Sequence, residues 1–342
     1  MSTELITRVL TQPGELRDIA GDWGLLCDRC SGATPFQRPE WLLAWVEAFS
    51  PEDMRVVEVR SGNRLVGFAP LLIYSRGRAW VLAFMGGAVS DYLDLLVDPQ
   101  CEREVVIAIL GVLEGLPQWT TLDLTDLSSS SVLLRTALAG IATQHDHCSA
   151  LYLPKTREEL LRLLSKRQRA NLRNARSRIQ RAGGGQVELA KAETLPDFLD
   201  ELFRLHTRRW AVASKPGVLA NAAVRAFHRR SAPGLLASGL LRLYRLRLQQ
   251  RTIAVVYTLF ERETVFCYLQ GYDPEFAHLS PGTHLMFSVM EDAVQAGMRK
   301  FDLLRGEETY KRHWRAQGEV THRIQLPRML ASCSGVMEPV AA

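Results

Sequence analysis

Apolar residues recur along the first half of the chain at two spacings, every second position as in strands and every third or fourth position as in helices. The pattern predicts a helix, then a group of strands, and then helices and strands in alternation. The predicted elements are a helix over 39–49, strands over 54–60, 64–74, 78–84 and 92–97, a helix over 101–113, a strand over 121–124, a helix over 131–142 and a strand over 150–153.

The second half shows a similar succession. Its predicted elements are helices over 157–181, 196–211 and 222–230, strands over 240–248, 252–260 and 264–272, a helix over 280–296, a strand over 301–304, a helix over 307–315 and a strand over 322–326. Short connections join the three consecutive strands, as in antiparallel hairpins. Gly297 follows the helix over 280–296, where a helix end favours glycine.

Both halves therefore present helices, antiparallel strands, a helix, a strand, a helix and a strand. This order predicts an α/β protein with mixed sheets, built from two similar domains with a cleft between them. The 342 residues fit two cores, each of about 150 residues. We expect domains over 1–153 and 154–330, joined near Pro154, and a frayed tail over 331–342.

Composition narrows the class of protein. No run of about 18 apolar residues occurs, so no membrane span is predicted. The amino terminus lacks the basic and apolar regions of a signal peptide, which predicts a cytoplasmic protein. The six cysteines show no disulfide framework. Neither the Cys27–Cys30 pair nor the His-Asp-His-Cys run over 145–148 has the further ligands of a zinc site, so no metal is predicted.

The net charge of +5 is unevenly distributed, with ten basic residues between Lys155 and Arg181 against Glu158 and Glu159. A basic stripe at helical spacing lies beside an apolar stripe, which predicts a docked helix with a cationic edge. The stripe has two explanations of equal weight. It is either a solvent-exposed face or a binding surface for an anionic acceptor, the phosphates of coenzyme A (CoA) or a tRNA. The segment has no aromatic residues to stack on bases, which argues against sequence-specific RNA binding.

The segment from Ser280 to Gly282 carries the clearest chemical signal. A strand over 266–272 leads through a loop into these residues, which open a helix. Free amide groups and the helix dipole at such a start favour a pyrophosphate, and Gly282 lets the backbone approach it closely. Ser280 is expected as the N-cap and Pro281 in the first turn. An ordinary helix cap would also explain the three residues.

The corresponding helix of the first half opens differently. It follows Asp98 and Pro99 and has no glycine at its start. A carboxylate at this position would repel a phosphate. The comparison therefore predicts that only the second half binds a phosphorylated donor.

Several motifs together resemble a known family. They are Leu269 to Pro274, Ser280 to Gly282, Phe301 to Glu307 and Tyr310 to Trp314, with weaker matches at Pro39 to Trp41, Ser90 to Tyr92, Ser165 to Arg169 and Leu205 to Trp210. Over about 35–326 the chain resembles the CelD-type GNAT acetyltransferases, which are associated with cellulose or other exopolysaccharide production and are related to the Fem-type peptidyl transferases.

The resemblance implies tandem GNAT-like domains and an acyl donor, either acetyl-CoA or another acyl-CoA, or an aminoacyl-tRNA. The acceptor would be the amine of a small molecule or sugar, which could be anionic. The residues expected at the donor are Gln270, Tyr272, Ser280, Pro281, Gly282, Thr283 and His284.

Acyl transfer to an amine needs a neutral nucleophile, stabilisation of the oxyanion and protonation of the leaving thiolate. By resemblance, Lys311 stabilises negative charge and Tyr310 is the general acid. Asp302, Arg305 and Glu307 would orient Lys311 or the acceptor amine, and Glu307 could equally compensate a helix dipole. A surface helix with ordinary Lys and Tyr side chains is the alternative.

Four further residues are expected on the acceptor side. His206 lies in an apolar helical stripe, as a general base or as a buried structural histidine. Trp210 is expected to contact the acceptor. Asp91 and Tyr92 would line an acceptor groove, although a turn explains them nearly as well.

Three functions remain open from the sequence. The first is acyl-CoA-dependent N-acyltransfer in envelope or exopolysaccharide metabolism, and the second is aminoacyl transfer from tRNA. The third is a catalytically inactive GNAT pair that serves as a binding module.

Overall fold

A computed structural model describes residues 4–212, 214, 216–306 and 308–328. The tail predicted over 331–342 lies outside these residues. The helices are α1 Pro13–Asp18, α2 Ala20–Arg29, α3 Pro39–Phe49, α4 Glu102–Gly115, α5 Val132–Thr136, α6 Arg157–Leu163, α7 Lys166–Arg181, α8 Leu195–Val212, α9 Ala222–Ala237, α10 Pro281–Gln295 and α11 Thr309–His313. The strands are β1 Leu5–Leu10, β2 Val56–Ser61, β3 Arg64–Ala69, β4 Leu71–Arg76, β5 Ala79–Phe84, β6 Leu96–Val97, β7 Thr121–Leu127, β8 Thr143–Tyr152, β9 Gly185–Leu189, β10 Leu241–Leu248, β11 Arg251–Glu261, β12 Thr264–Tyr272, β13 Lys300–Arg305 and β14 Gln317–Pro327.

The chain forms two compact units, and the mixed α/β class predicted from the sequence is confirmed. In the first unit, one sheet has the strand order β1-β2-β3-β6, and a second run has the order β4-β5-β7-β14. In the second unit the order is β8-β13-β12-β11-β10-β9. Within this run β12 and β13 are parallel, whereas β9 to β12 and the β13–β8 pair are antiparallel.

The units do not follow a simple division of the chain. The first comprises the described residues up to Asp146 and those from Val320 onward, and the second runs from His147 to Glu319. Accordingly, the end of β8 pairs with β13 in the second unit, through contacts such as Leu151 with Phe301. The end of β14 pairs with β7 in the first unit.

Two predicted elements are interrupted for clear physical reasons. The strand predicted over 64–74 divides at Pro70, because proline has no amide hydrogen for a ladder, and β3 and β4 then join different sheets. The helix predicted over 157–181 divides after Leu163. Ser165 caps α7 by accepting a hydrogen bond from the Gln168 amide at 3.1 Å, which favours a fresh helix start.

Other boundaries also differ from the prediction. The helix predicted over 131–142 ends at Thr136 and is followed by a short 3₁₀ turn, and the strand predicted over 92–97 retains only Leu96 and Val97. The helix predicted over 222–230 extends to Ala237. Strands β1 and β9 and helices α1 and α2 were not predicted, since they are short or have no strong apolar period.

The core of the second unit lies between β10–β13 and the helices α7 and α10. Leu172, Ala175 and Ile179 are buried on one face of α7. The opposite side of the sheet is covered by α8, which approaches β12 most closely at Gly271. A Cβ atom on Gly271 would lie 2.5 Å from the His206 amide nitrogen and 2.8 Å from the Leu205 carbonyl carbon. Glycine at this position therefore sets the height of α8 above the strand.

Gly271→Ala should destabilise the protein by about 1–3 kcal/mol, because the helix backbone must move to accommodate one methyl group. The free energy of unfolding in denaturant measures this effect. Gly111→Ala, on the exposed face of α4 with no atom within 4 Å of the added Cβ, is the control and should stabilise by up to about 1 kcal/mol. Equal stability of the Gly271 variant and the wild type would show that α8 is not held at contact distance.

Candidate active site

The parallel strands β12 and β13 pair only at their beginnings. The register runs from Thr264 with Lys300 to Phe266 with Asp302 and ends there. Beyond this point β12 continues to Tyr272 alongside β11 alone. An opening therefore separates two parallel strands within the sheet, beside the part of β12 that follows Phe266.

Irregularities in both strands accompany this opening. In β12, Leu269 pairs with Tyr257 and Cys267 with Thr258, so Tyr268 is an extra residue that forms a bulge. In β13, the register with β8 shifts between Asp302 and Arg305. Bulges bend a strand and re-aim its side chains, and these two lie on either side of the opening.

The bend in β13 is held by a buried carboxylate. Leu304 has a φ of 59°, an unfavourable value for a residue with a branched side chain. The Leu304 amide donates to Asp302 Oδ1 at 2.8 Å, and Asp302 is almost fully buried. Lys300 Nζ lies 3.2 Å from Asp302 Oδ2 and balances its charge. Asp302, predicted to contact substrate or orient Lys311, thus stabilises the strand geometry.

Lys311 completes this arrangement from α11. Its side chain is buried, and its ammonium group donates to the carbonyl oxygens of Leu304 at 3.0 Å, Arg305 and Gly306 at 3.1 Å. Glu308 Oε2 lies 3.0 Å from the same nitrogen. The ammonium group of Lys311 therefore binds the end of β13 directly.

Gly306 follows β13 with a φ of 106°, and a Cβ atom there would lie 2.5 Å from the Glu308 carboxylate. Only glycine fits this turn without displacing the Lys311 partner. Arg305 contributes its carbonyl oxygen to Lys311. Glu307, predicted as a catalytic residue, lies outside the described residues.

Tyr310 lies at the opening, opposite β12. Burial raises the pKa of its hydroxyl, with a further contribution from Cys267, while a hydrogen bond with Gln270 acts in the opposite direction. The phenol is therefore protonated at neutral pH and can donate a proton. Burial also raises the pKa of the Cys267 thiol to about 12, despite the positive charges of Lys311 and Arg209, so Cys267 is not a thiolate nucleophile.

Helix α8 contributes a second group of site residues. The Arg209 guanidinium carbon lies 5.8 Å from the ring centre of Trp210, 5.8 Å from that of Tyr272 and 6.0 Å from that of Tyr310. The His206 ring lies 6.0 Å from Trp210. The structure thus brings together four predicted site residues, and it adds Arg209, to which the sequence analysis gave no role.

His206 is 3% exposed, and its Nδ1 atom has no hydrogen-bond partner in the part of the chain that the structure describes. Burial, with a contribution from Arg209, lowers the pKa of its imidazole to about 4. The ring is therefore neutral near pH 7, as a general base must be. Behind it, burial lowers the pKa of His228 to about 3, and that ring packs against Tyr257 and Tyr268.

The start of α10 lies beside β12, since a Cβ atom on Gly282 would be 3.8 Å from the Tyr272 ring. Pro281 is the first helical residue, as predicted from the sequence. Ser280 occupies the N-cap position, but its φ of 56° is left-handed and its side chain makes no cap hydrogen bond. Ser280 therefore takes the predicted N-cap position, but its hydroxyl does not accept the expected hydrogen bond from an amide of the first turn. The hydroxyl thus does not occupy the first amides of α10. Thr283 and His284 follow in the first turn, and burial, with Arg176 nearby, lowers the pKa of His284.

The loop before α10 is anchored by ion pairs. Asp273 is fully buried, and its Oδ2 atom lies 2.6 Å from Arg251 and 3.1 Å from Arg208. Glu275 binds the same two arginines at 2.8 and 2.5 Å. These contacts fix the path of the chain from β12 to the helix start, so the loop does not depend on a run of glycines for its shape.

Helix α7 flanks this helix start with positive charge. The Arg178 side chain donates to the His278 carbonyl oxygen at 3.0 Å. A surface groove of about 680 Å³ is lined by Arg178, Arg181, Ala182, His278 and Leu279. No acidic residue occurs within α7. Two arginines at the end of α7, Arg178 and Arg181, thus lie next to the residues that precede α10.

The first unit has a different chemistry at the corresponding place. Asp98 is buried before α4, where Arg29 and Arg64 bind its carboxylate at 2.8 and 2.6 Å. An anion-binding position there is already filled by the protein's own carboxylate. Asp91 and Tyr92 are buried in the same unit, whereas Gln270, Tyr310 and Lys311 belong to the second unit.

The motifs set aside in the sequence analysis have structural surroundings. The Cys27 and Cys30 thiols are buried, and each lies against a backbone carbonyl oxygen. No group of three or more potential metal ligands occurs within the described ranges. In those ranges, too, every helix is too short or too polar to cross a bilayer.

Comparison with known proteins agrees with this geometry. Residues 166–312 match the family described as acetyltransferase (GNAT) domain. No curated protein matches the sequence. Among solved structures, FemX is similar with a TM-score of 0.68 and 12% identity, over 92% of this chain and 98% of that chain.

Two further structures show the same fold. One is the C-terminal domain (DUF2156) of a protein described as a lysylphosphatidylglycerol synthetase from Agrobacterium fabrum, with a TM-score of 0.57 and 16% identity over 91% of this chain and 92% of that one. The other is L-PGS from Bacillus licheniformis, with a TM-score of 0.57 and 11% identity over 93% and 92% of the two chains. The second unit thus contains a GNAT acetyltransferase domain, and the chain is an acyltransferase.

The two buried histidines predict how stability depends on pH. Their folded-state pKa values, about 4 for His206 and about 3 for His228, lie below the value of 6.5 expected in the unfolded chain. The unfolded chain therefore binds more protons as the pH falls from 6.5 to about 4, and stability is lost over that interval. The loss should approach about 1.4 kcal/mol per pH unit for each histidine.

Denaturant titrations between pH 4.5 and 7.5 measure this slope. His228→Phe, which suits the surrounding aromatic rings, should reduce the slope by up to half, while the exposed His313→Gln control should leave it unchanged. An unaltered slope in the His228 variant would show that this histidine protonates freely in the folded protein.

Proposed function

We propose that the protein transfers an acyl group, in the simplest case acetyl, from acyl-CoA to the amine of a small-molecule or sugar acceptor. The observation that carries the proposal is the opening between β12 and β13 after Phe266 and Asp302, with the start of α10 beside it. A pantetheine arm fits an opening between two diverging strands, and a pyrophosphate fits the helix start. The CelD-type resemblance supports an acceptor from envelope or exopolysaccharide metabolism.

Each residue at the opening then has a role. The first amides of α10, at Gly282 and Thr283, bind the donor pyrophosphate with His284 beside them. Gln270 holds the hydroxyl of Tyr310, which protonates the leaving thiolate. Lys311 stabilises developing negative charge. Its positive charge acts on β12, where it lowers the pKa of the Cys267 thiol against the effect of burial. His206 accepts the proton of the attacking amine, for which its neutral state is suited.

The domain roles extend this proposal. The second unit holds the donor and the reacting groups, and the first unit has no free anion site before α4 because Arg29 and Arg64 already bind Asp98. We assign the first unit to the acceptor side, with Asp91 and Tyr92 as its contact residues.

Aminoacyl transfer from tRNA is the second candidate function, and helix α7 favours it. This helix carries Lys166, Arg167, Arg169, Arg173, Arg176, Arg178 and Arg181, and no acidic residue. Successive basic residues on one face suit a phosphate backbone. A preparation that transfers an aminoacyl group from charged tRNA, and acetyl from acetyl-CoA not at all, would support this function against the first.

Gly282→Asp should weaken acetyl-CoA binding at least tenfold, since a carboxylate would face the pyrophosphate; tenfold corresponds to about 1.4 kcal/mol. Folding should be unaffected, because there is space for a Cβ atom and an acidic residue near a helix start is favourable. Calorimetry measures the affinity, and Gly282→Ala, with the same backbone and no charge, is the control. Unchanged affinity in the Asp variant would place the donor elsewhere.

Lys311→Ala should reduce kcat by about a hundredfold and acetyl-CoA affinity far less, because the transition state loses its cation while the pyrophosphate site at the start of α10 is kept. Lys300→Ala, which removes a nearby lysine that binds Asp302 and Glu319, is the control for general loss of stability. Thermal unfolding identifies a temperature at which both variants are folded. Equal losses of turnover and donor affinity would contradict the role given to Lys311.

A further inference from the structure

Arg209 stands out among the arginines of α8. The guanidinium groups of Arg204 and Arg208 bind carboxylates, Arg204 with Glu201 and Arg208 with Asp273 and Glu275. Arg209 is half-buried and contacts three aromatic rings. Within the described ranges, no hydrogen bond or ion pair reaches its guanidinium group.

Aromatic rings hold a guanidinium plane in place without using its N–H groups. The side chain of Arg209 is thus oriented in advance, and its donors remain available for a planar anion. Arg209 is half-buried, and none of the described carboxylates balances its positive charge. An anion that binds there therefore gains more free energy than it would at an exposed arginine.

Two further polar atoms lie in the same place. Trp210 Nε1 and His206 Nδ1 are buried and have no hydrogen-bond partner among the described residues. Both rings converge on Gly217, where a Cβ atom would lie 2.8 Å from each of them. The buried indole N–H is a donor in need of an acceptor.

Arg209 is the cation at this position whose N–H groups have no partner among the described residues. The other nearby cation, Lys311, has its ammonium group bound by three carbonyl oxygens and Glu308. His206 is neutral near pH 7. A monoanion with two coplanar oxygens, which a carboxylate provides, matches one guanidinium fork better than a doubly charged phosphate.

The location relates this anion to the reaction. Arg209 lies about as far from the Tyr310 ring as from the Tyr272 ring, and Tyr310 borders the opening between β12 and β13. An anion bound by Arg209 would therefore lie close to Tyr310 and to the opening.

We propose that Arg209, with Trp210, binds a carboxylate of the acceptor, so that the acceptor is an amino acid or a similar amine with a carboxylate close to its amino group. The inference rests on the proposed acyl transfer to an amine and specifies its substrate class.

The test uses the full chain with acetyl-CoA and matched acceptors, such as phenylalanine with phenethylamine and alanine with ethylamine, and O-phosphoethanolamine as the phosphate counterpart. Release of free CoA measures transfer. We expect kcat/KM to be at least about tenfold higher for the carboxylated member, mainly through a lower KM. Arg209→Gln should bring the ratio of kcat/KM for the carboxylated and decarboxylated members close to one, whatever its effect on overall turnover, while the exposed Arg103→Gln on α4 should keep the ratio of the wild type.

A second measurement does not depend on turnover. In the presence of CoA, N-acetylphenylalanine should raise the melting temperature of the wild type saturably, and N-acetylphenethylamine should not. Arg209→Gln should remove this shift. A shift in the absence of any transfer would retain the carboxylate site and contradict the proposed acyl transfer.

Three results would overturn the inference. Equal turnover of carboxylated and decarboxylated amines would do so while leaving the acyl transfer intact. Preference for the phosphorylated amine would show that the site binds phosphate. An Arg209-dependent preference for succinyl-CoA over acetyl-CoA, without acceptor preference, would place the carboxylate on the acyl group.

Discussion

The binding of one buried ammonium group by the end of β13 underlies the geometry of the candidate active site. Lys311 donates to three consecutive carbonyl oxygens, and Asp302 accepts the amide hydrogen of Leu304, so the strand keeps a left-handed residue that would otherwise relax. With this bend, β13 leaves β12 after three paired residues. The bend thus provides space for a ligand and directs a positive charge toward it. The contacts of Lys311 and Asp302 therefore hold the strained backbone of β13 and also shape the opening beside it.

Polar groups in the second unit are divided between anchoring and reaction. Asp273, Glu275, Arg208 and Arg251 bind one another, which fixes the approach to α10. The polar groups near Tyr310 differ from these. His206 is neutral, Arg209 lies among aromatic rings, and Lys311 is bound by backbone carbonyl oxygens. A rigid network outside the opening and an incompletely satisfied group inside it are the arrangement expected where a ligand completes the hydrogen bonding.

The sequence predicted the class of fold and most elements of the second unit. In segments such as 241–248 and 281–295, the spacing of apolar residues alone identifies the strand or helix. It did not predict the bend in β13, since nothing in Leu303 or Leu304 signals a left-handed residue. Arg208 and Arg209 both belong to a motif identified from the sequence, next to Trp210. Arg208 binds Asp273 and Glu275, whereas Arg209 has no carboxylate partner among the described residues. The sequence did not predict this difference, because Asp273 and Glu275 are distant along the chain. Lys311 was identified through family resemblance, whereas its three carbonyl partners follow only from the path of the backbone.

The strands β8 and β14 each contribute residues to both units, which limits how the chain can be cut into separate domains. A fragment that begins at residue 154 would contain the acetyltransferase domain as the sequence divides it, yet it would lack the strand that covers the outer edge of β13. That edge would expose unpaired amide and carbonyl groups beside a buried lysine, a surface prone to pair with other chains. The fragment would also carry the end of β14 without its partner β7. Dissection of the two units therefore calls for a circular permutant or a tethered strand, and cleavage at the midpoint of the chain does not separate them.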